Sequence, residues 1–164
     1  MIDRLLEGII AALLMAAVGV AFAAVIWRYV LNSALSWSFE VSLALLTYIT
    51  FLGAYLALRR GAHLKVDLFV KKLPRVAQGI VFLVNMVIIA TIGWIMAWHG
   101  SQQVLRFANQ TTSVLEISTA WYYVAIPLSG IFILIDAVVT AALGVIRLTR
   151  GEDANPRPDD PIEL

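Results

Sequence analysis

The sequence predicts an all-α integral membrane protein, with four transmembrane helices in a tilted bundle and a short interfacial amphipathic helix between the second and third. Three observations predict it. Four apolar stretches, at about 5–31, 37–58, 76–98 and 119–146, each reach the roughly 20 residues that a helix needs to cross a hydrocarbon core of about 30 Å. None of them alternates with period two, and only helices or closed barrels satisfy every backbone group in lipid, so helices are selected over a barrel. Composition agrees, because 61% of the 164 residues are hydrophobic and only 14% are charged, where a soluble domain carries about 25%.

The first span, at about 1.5 Å per residue, makes a helix of roughly 40 Å and therefore predicts tilt. Its apolar run is longer than the roughly 7–15 residues of a signal-peptide core and no Ala-x-Ala site follows, so the span is expected to be retained. Small residues recur at four-residue spacing in Gly8, Ala12 and Ala16, again in Gly19 and Ala23, and in the second span in Gly53 and Ala57. Such faces let helix backbones approach closely and mark Gly53 and Ala57 as candidate assembly positions. A tight turn through Asn32 and Ser33 brings Arg28, Trp37 and Glu40 to the outer ends of the first two spans. Two roles are open to that cluster: an Arg28–Glu40 ion pair that locks the hairpin, or a docking point for an outer partner.

In the second connection Val66, Phe69, Val70 and Leu73 repeat at helical spacing beside Lys65, Lys71 and Lys72, with Asp67 four residues before Lys71. This reads either as a short helix whose apolar face lies in the headgroup region while its lysines meet anionic lipid, or as an ordinary basic loop. Pro74 suits the first turn of the third span. The outer connection, 99–118, is rich in Gln, Thr and Ser. Pro127, followed by Ser129 and Gly130, predicts a kink in the outer part of the fourth span. The tail 151–164 carries Pro156, Pro158 and Pro161 among acids and is expected to be disordered, which leaves residues 1–150 as one transmembrane domain.

Charge placement sets the expected orientation. Arg59, Arg60, Lys65, Lys71, Lys72 and Arg75 crowd the second connection, Arg4 precedes the first span, and Arg147, Arg150 and Arg157 follow the fourth, whereas Arg28 and Arg106 fall on the other side. The positive-inside rule then puts both termini and the second connection in the cytoplasm. Trp27, Trp37, Trp94, Trp98 and Trp121 lie toward the opposite ends of the spans, where amphipathic rings favour the interface.

Asp136 lies near the middle of the fourth span, where an ionised acid costs about 2.5–3.5 kcal/mol on insertion scales. Counted from the cytoplasmic ends, Asn85 of the third span shares its depth, and Thr47 and Thr50 of the second fall close to the same level. Three roles are open: a structural polar layer, in which the acid can be protonated; a contact of Asp136 to another subunit; or a coupling-ion or proton site at Asp136. A single acid without a basic or second acidic partner is thin support for transport.

Catalysis and a bound cofactor are not expected. The chain has no cysteine, which removes thiol chemistry and thiolate metal sites. His63 and His99 fall at opposite membrane edges and cannot share a haem, and no phosphate loop, metalloprotease motif or nucleophile–base arrangement is present. A net charge of +1 gives no reason to expect a nucleic-acid partner. No internal repeat is visible, which disfavours a self-contained inverted-repeat transporter.

Two ordered patches resemble a known family. The first holds Arg28-Tyr29, Trp37, Glu40, Phe51-Leu52-Gly53-Ala54 and Arg59-Arg60-Gly61-Ala62-His63-Leu64-Lys65-Val66-Asp67; the second holds Ser113-Val114-Leu115-Glu116-Ile117-Ser118, Trp121-Tyr122 and Pro127-Leu128-Ser129-Gly130. In this order they resemble the small membrane subunit, DctQ-like, of tripartite ATP-independent periplasmic (TRAP) transporters. Ser118 and Ser129 depart from the family pattern, and Asp136 matches no motif of it. The resemblance implies a bacterial inner-membrane complex in which a large multispanning permease subunit carries the substrate and sodium sites. A periplasmic substrate-binding protein would deliver an organic acid, and the small subunit would belong to the static scaffold. It further implies that Arg28, Trp37 and Glu40 form an assembly region. By the same resemblance Arg59, Arg60, His63, Lys65, Asp67, Lys71 and Lys72 anchor the cytoplasmic face.

Two other functions compete with that expectation. A self-sufficient homodimeric exporter would want an essential acid well inside the first span, but Glu7 stands near its cytoplasmic end. A membrane anchor or assembly protein unrelated to transport would show the same packing faces.

Overall fold

A computed structural model of the chain describes residues 2–61 and 74–149. The expected interfacial helix, with His63, Lys65, Asp67, Lys71 and Lys72, and the tail 151–164 lie outside the described residues. Among the described residues five helices follow in order: α1, Ile2–Tyr29; α2, Ser38–Gly61; α3, Arg75–Phe107; α4, Ala120–Tyr123; and α5, Ala125–Thr149. Four stretches among them, Asp3–Tyr29, Ser38–Arg60, Ala77–Phe107 and Ala120–Arg147, are long and apolar enough to cross a membrane, as the all-α, four-span reading requires.

Each boundary has a local cause. Asn32 takes a left-handed φ of 49° just after α1, a conformation that asparagine tolerates better than most residues. The Ser38 hydroxyl then donates to the Leu35 carbonyl at 2.7 Å where the chain turns into α2. Pro74 stands one residue before α3, as its N-cap in extended backbone. α3 runs to Phe107, well past Trp98, because Gln102 and Gln103 are good helix formers and polarity alone does not end a helix. In the fourth span the regular hydrogen-bond pattern is interrupted at Val124, between α4 and α5, while the backbone stays helical at φ −59° and ψ −30°. Pro127 accounts for the place, since its ring crowds the carbonyl four residues earlier and it offers no N–H to that carbonyl.

The helices pack in sequence across the molecule. α1 lies on α2, α2 on α5, and α5 most extensively on α3. Gly93 and Gly130 mark the tightest crossing: a Cβ at Gly130 would meet the Ala97 nitrogen at 2.6 Å, and one at Gly93 would meet the Leu134 nitrogen at 2.8 Å. Toward the outer side Gly100 sits against the Pro127 ring, and toward the inner side Gly144 lies under Phe82. Small residues therefore let α3 and α5 approach backbone to backbone. This pair was not singled out from sequence. By contrast Gly8, Gly19 and Gly53 face open space, so the four-residue repeats of α1 and α2 do not pack within this chain. Ser129 is fully buried, with its hydroxyl donating to the Ile126 carbonyl at 2.9 Å.

Candidate functional site

Polar side chains on one face of α2 organise both ends of the molecule. At the outer end lies the loop 108–119, which folds back on itself: Thr112 N–H donates to the Ile117 carbonyl at 2.8 Å, and Thr119 N–H to that of Gln110 at 2.7 Å. The Ser118 hydroxyl adds a bond to the Ala108 carbonyl at 2.9 Å. At the tip of this fold Glu116 adopts φ 54°, the left-handed region that a residue with a Cβ seldom enters. The tip leaves backbone N–H groups without partners in the loop itself. Glu40, in the first turn of α2, accepts two of them, Val114 N–H on one carboxylate oxygen at 2.9 Å and Leu115 N–H on the other at 3.0 Å. A two-oxygen, charge-assisted grip of this kind fixes orientation as well as position.

This arrangement corrects the expected Arg28–Glu40 ion pair. Among the described residues no ion pair joins them; the carboxylate faces the loop tip and the Arg28 side chain is exposed. The two sequence patches that carry the family resemblance, one with Glu40 and the other with Val114 and Leu115, thus meet in space.

Farther down α2 the Tyr48 hydroxyl donates to the Trp121 carbonyl at 2.9 Å, which ties α2 to the short α4. Tyr55, almost fully buried, stacks on Phe132 of α5 with ring centroids 5.5 Å apart. Neither tyrosine was among the sequence candidates. Both occur in an apolar run, where a phenol is indistinguishable from a packing residue until its partner is known.

At the inner end Arg59 holds three helices together. One guanidinium nitrogen lies 2.8 Å from an Asp3 carboxylate oxygen on α1, an ion pair without an aligned hydrogen bond. Its Nε lies 3.4 Å from Asp136 on α5, and it donates to the Tyr55 hydroxyl at 3.4 Å. Arg60 pairs with Glu7 of α1. This corrects the reading of Asp136 as an acid without a basic partner: it has a cation from another helix. Sequence separation hid the pair, because the distance from the end of α2 to the middle of α5 is set only by how the helices cross. A cleft of about water size, lined by Tyr55, Leu58, Arg59, Ile133, Asp136 and Thr140, opens beside it.

Thr47 and Thr50, expected at the depth of Asp136, stand 12 and 9 residues before the Arg59 that meets it, so they lie roughly 14–18 Å farther out. The Thr47 and Thr50 hydroxyls donate to the carbonyls of Leu43 and Leu46, 2.8 and 2.7 Å away in their own helix, a local alternative open to any helical threonine. Asn85 is half-buried on α3. Arg59 and Arg60, expected as interfacial anchors, both engage acids within the fold. Trp94 and Trp98 stack on each other, with centroids 6.2 Å apart, on the exposed side of α3.

Comparison with known proteins places these features in a family. The profile of the tripartite ATP-independent periplasmic transporters, DctQ component, matches residues 17–147. A sialic acid TRAP transporter small permease protein of Vibrio cholerae serotype O1 is 31% identical over 132 residues, covering 77% of this chain and 74% of that protein. A protein of Haemophilus influenzae, provisionally named a TRAP transporter small permease protein, is 28% identical over 132 residues, covering 80% of this chain and 81% of its own length.

Proposed function

This chain belongs to the DctQ component family of the tripartite ATP-independent periplasmic transporters, small permease subunits and not enzymes, and from that membership we propose that it braces the large permease subunit of such a transporter. In this reading the large subunit carries out sodium-coupled uptake of an organic acid, which a periplasmic binding protein delivers. The complex lies in the bacterial inner membrane with both termini of this chain in the cytoplasm. The observation that carries the reading is the match along residues 17–147. Two features support the bracing role. Leu14, Met15, Val18 and Phe22 of α1 and Ile88, Ile92, Trp94 and Ile95 of α3 are exposed, so broad apolar faces are available to a neighbour in lipid. Gly53 and Ala57 on α2 add a smooth strip open to close helix contact. An organic acid as the solute is supported by the name of the Vibrio cholerae relative.

Reconstitution tests the proposal. The chain purified alone into liposomes is expected to move no solute, and together with the large subunit, the binding protein and a sodium gradient it is expected to support accumulation of an organic acid. Gradient-driven accumulation by this chain alone would establish a self-sufficient transporter. Failure to co-purify with a large multispanning protein in mild detergent would favour an anchor unrelated to transport.

A further inference from the structure

The two helical hairpins are offset along their common axis. Asp3 and Arg59 pair at the inner tips of α1 and α2, yet Arg59 also meets Asp136, which stands 13 residues before the end of α5; at about 1.5 Å per residue the second hairpin extends roughly 20 Å farther inward. At the other end Glu40, three residues into α2, reaches a loop that lies beyond the end of α3. An offset of this kind needs something to hold it. Apolar helix faces present repeated ridges and grooves, and neighbouring registers about one turn, 5.4 Å, apart bury similar surface. Directional polar contacts differ, because a carboxylate that has slid by one turn finds no donor.

We infer that Glu40, Tyr48 and Arg59 are positioning residues that set the axial register between the α1–α2 hairpin and the α3–α5 hairpin. At 3.6 residues per turn they fall, together with Tyr55, within a sector of about 100° on α2. That sector meets the second hairpin at three heights: the loop tip through Glu40, the Trp121 carbonyl through Tyr48, and Asp136 through Arg59. Glu40 and Arg59 are about 28 Å apart along the helix, close to the hydrocarbon thickness of about 30 Å, so the outer and inner ties sit near opposite faces of the bilayer. The Tyr55–Phe132 stack between them contributes packing without a directional bond. The inference concerns the geometry of this chain and stands whatever solute its transporter carries.

The absence of cysteine allows a direct measurement. Spin labels on Leu46→Cys of α2 and Val139→Cys of α5, both exposed, report the axial distance between the hairpins by pulsed electron paramagnetic resonance in lipid nanodiscs. With the polar ties intact a single narrow distance distribution is expected. The triple variant Glu40→Met, Tyr48→Phe, Asp136→Leu leaves no acceptor oxygen at positions 40 and 136 and no hydroxyl at 48 while keeping side chains of similar size, and it is expected to broaden the distribution or add a population shifted by roughly 5 Å, one helical turn. An unchanged narrow distribution in the triple variant would show that apolar packing alone sets the register and would overturn the inference. The three double variants guard against misfolding of the triple. If it fails to insert, broadening in the doubles sustains the inference and unchanged distributions in all folded doubles reject it.

Discussion

Arg59 shows how one side chain can answer for several. It stands near the end of α2, where a basic residue suits the helix dipole and the membrane headgroups, and from sequence that role suffices. In the structure it also serves Asp3 and Asp136, and both its side chain and that of Asp136 remain 32% accessible. A planar guanidinium can address two acids and a phenol at once, which an ammonium cannot do with the same geometry. Arg59→Leu leaves both acids without this partner and is expected to destabilise the chain by about 1–3 kcal/mol, less than a fully buried pair would cost because the site is partly open. In Arg59→Leu combined with Asp136→Leu the loss is expected to fall well short of the two single losses added together. Thermal unfolding of the purified chain in detergent measures all three; strict additivity would show that the contact contributes nothing. Glu40 meets backbone rather than Arg28, and a sequence shows a carboxylate near an arginine but not two backbone N–H groups turned outward by a loop more than 70 residues later.

Among the elements, the α3–α5 pair explains why small residues have to be weighed in three dimensions. Gly93 and Ala97 have the same four-residue spacing as Gly8 and Ala12, yet only the former pair meets another backbone in this chain. A side chain at Gly130 would collide with backbone at Ala97 and with the Met96 Cβ, atoms that cannot turn aside as the end of a flexible side chain can. Gly130→Ala is therefore expected to cost about 1–3 kcal/mol, the usual scale for overpacking. Gly19→Ala adds a methyl group in open space and is expected to be neutral or slightly stabilising in the isolated chain, because alanine is the better helix former. Parallel melting curves of the two variants decide the matter, and a Gly130→Ala chain as stable as the parent would contradict the close crossing. The interruption at Val124 belongs to the same scale: Pro127 announced it, and the structure places it one turn earlier, where the affected carbonyl lies.

For the whole molecule, the row in which α2 touches α1 on one side and α5 on the other accounts for a protein with so much apolar surface and so few buried side chains. Leu6, Leu52, Tyr55, Met86, Ile133 and Ala137 are among the few buried residues of the membrane-spanning helices; the remaining apolar surface faces lipid or another protein. Topology is a prediction at this scale. A cysteine in place of Ser113, in the outer loop, is expected to react with a membrane-impermeant maleimide added to intact cells or spheroplasts. One in place of Lys72 is expected to react only after the membrane is opened. The reverse pattern would invert the proposed orientation, and with it the assignment of Glu40 to the periplasmic side.

The sequence alone determined the four membrane crossings, the irregularity near Pro127 and the family, because each depends on apolar length, on a local steric rule or on ordered motifs that need no knowledge of distant neighbours. Tertiary structure alone decided which glycines carry the helix crossing, that Asp136 meets Arg59, and that Glu40 holds the tip of the outer loop. The physical reason is the same in each case. An apolar helix face is compatible with many partners and registers of similar burial, whereas a close backbone contact or a directional polar bond exists in one arrangement only, and that arrangement is fixed by how the helices cross.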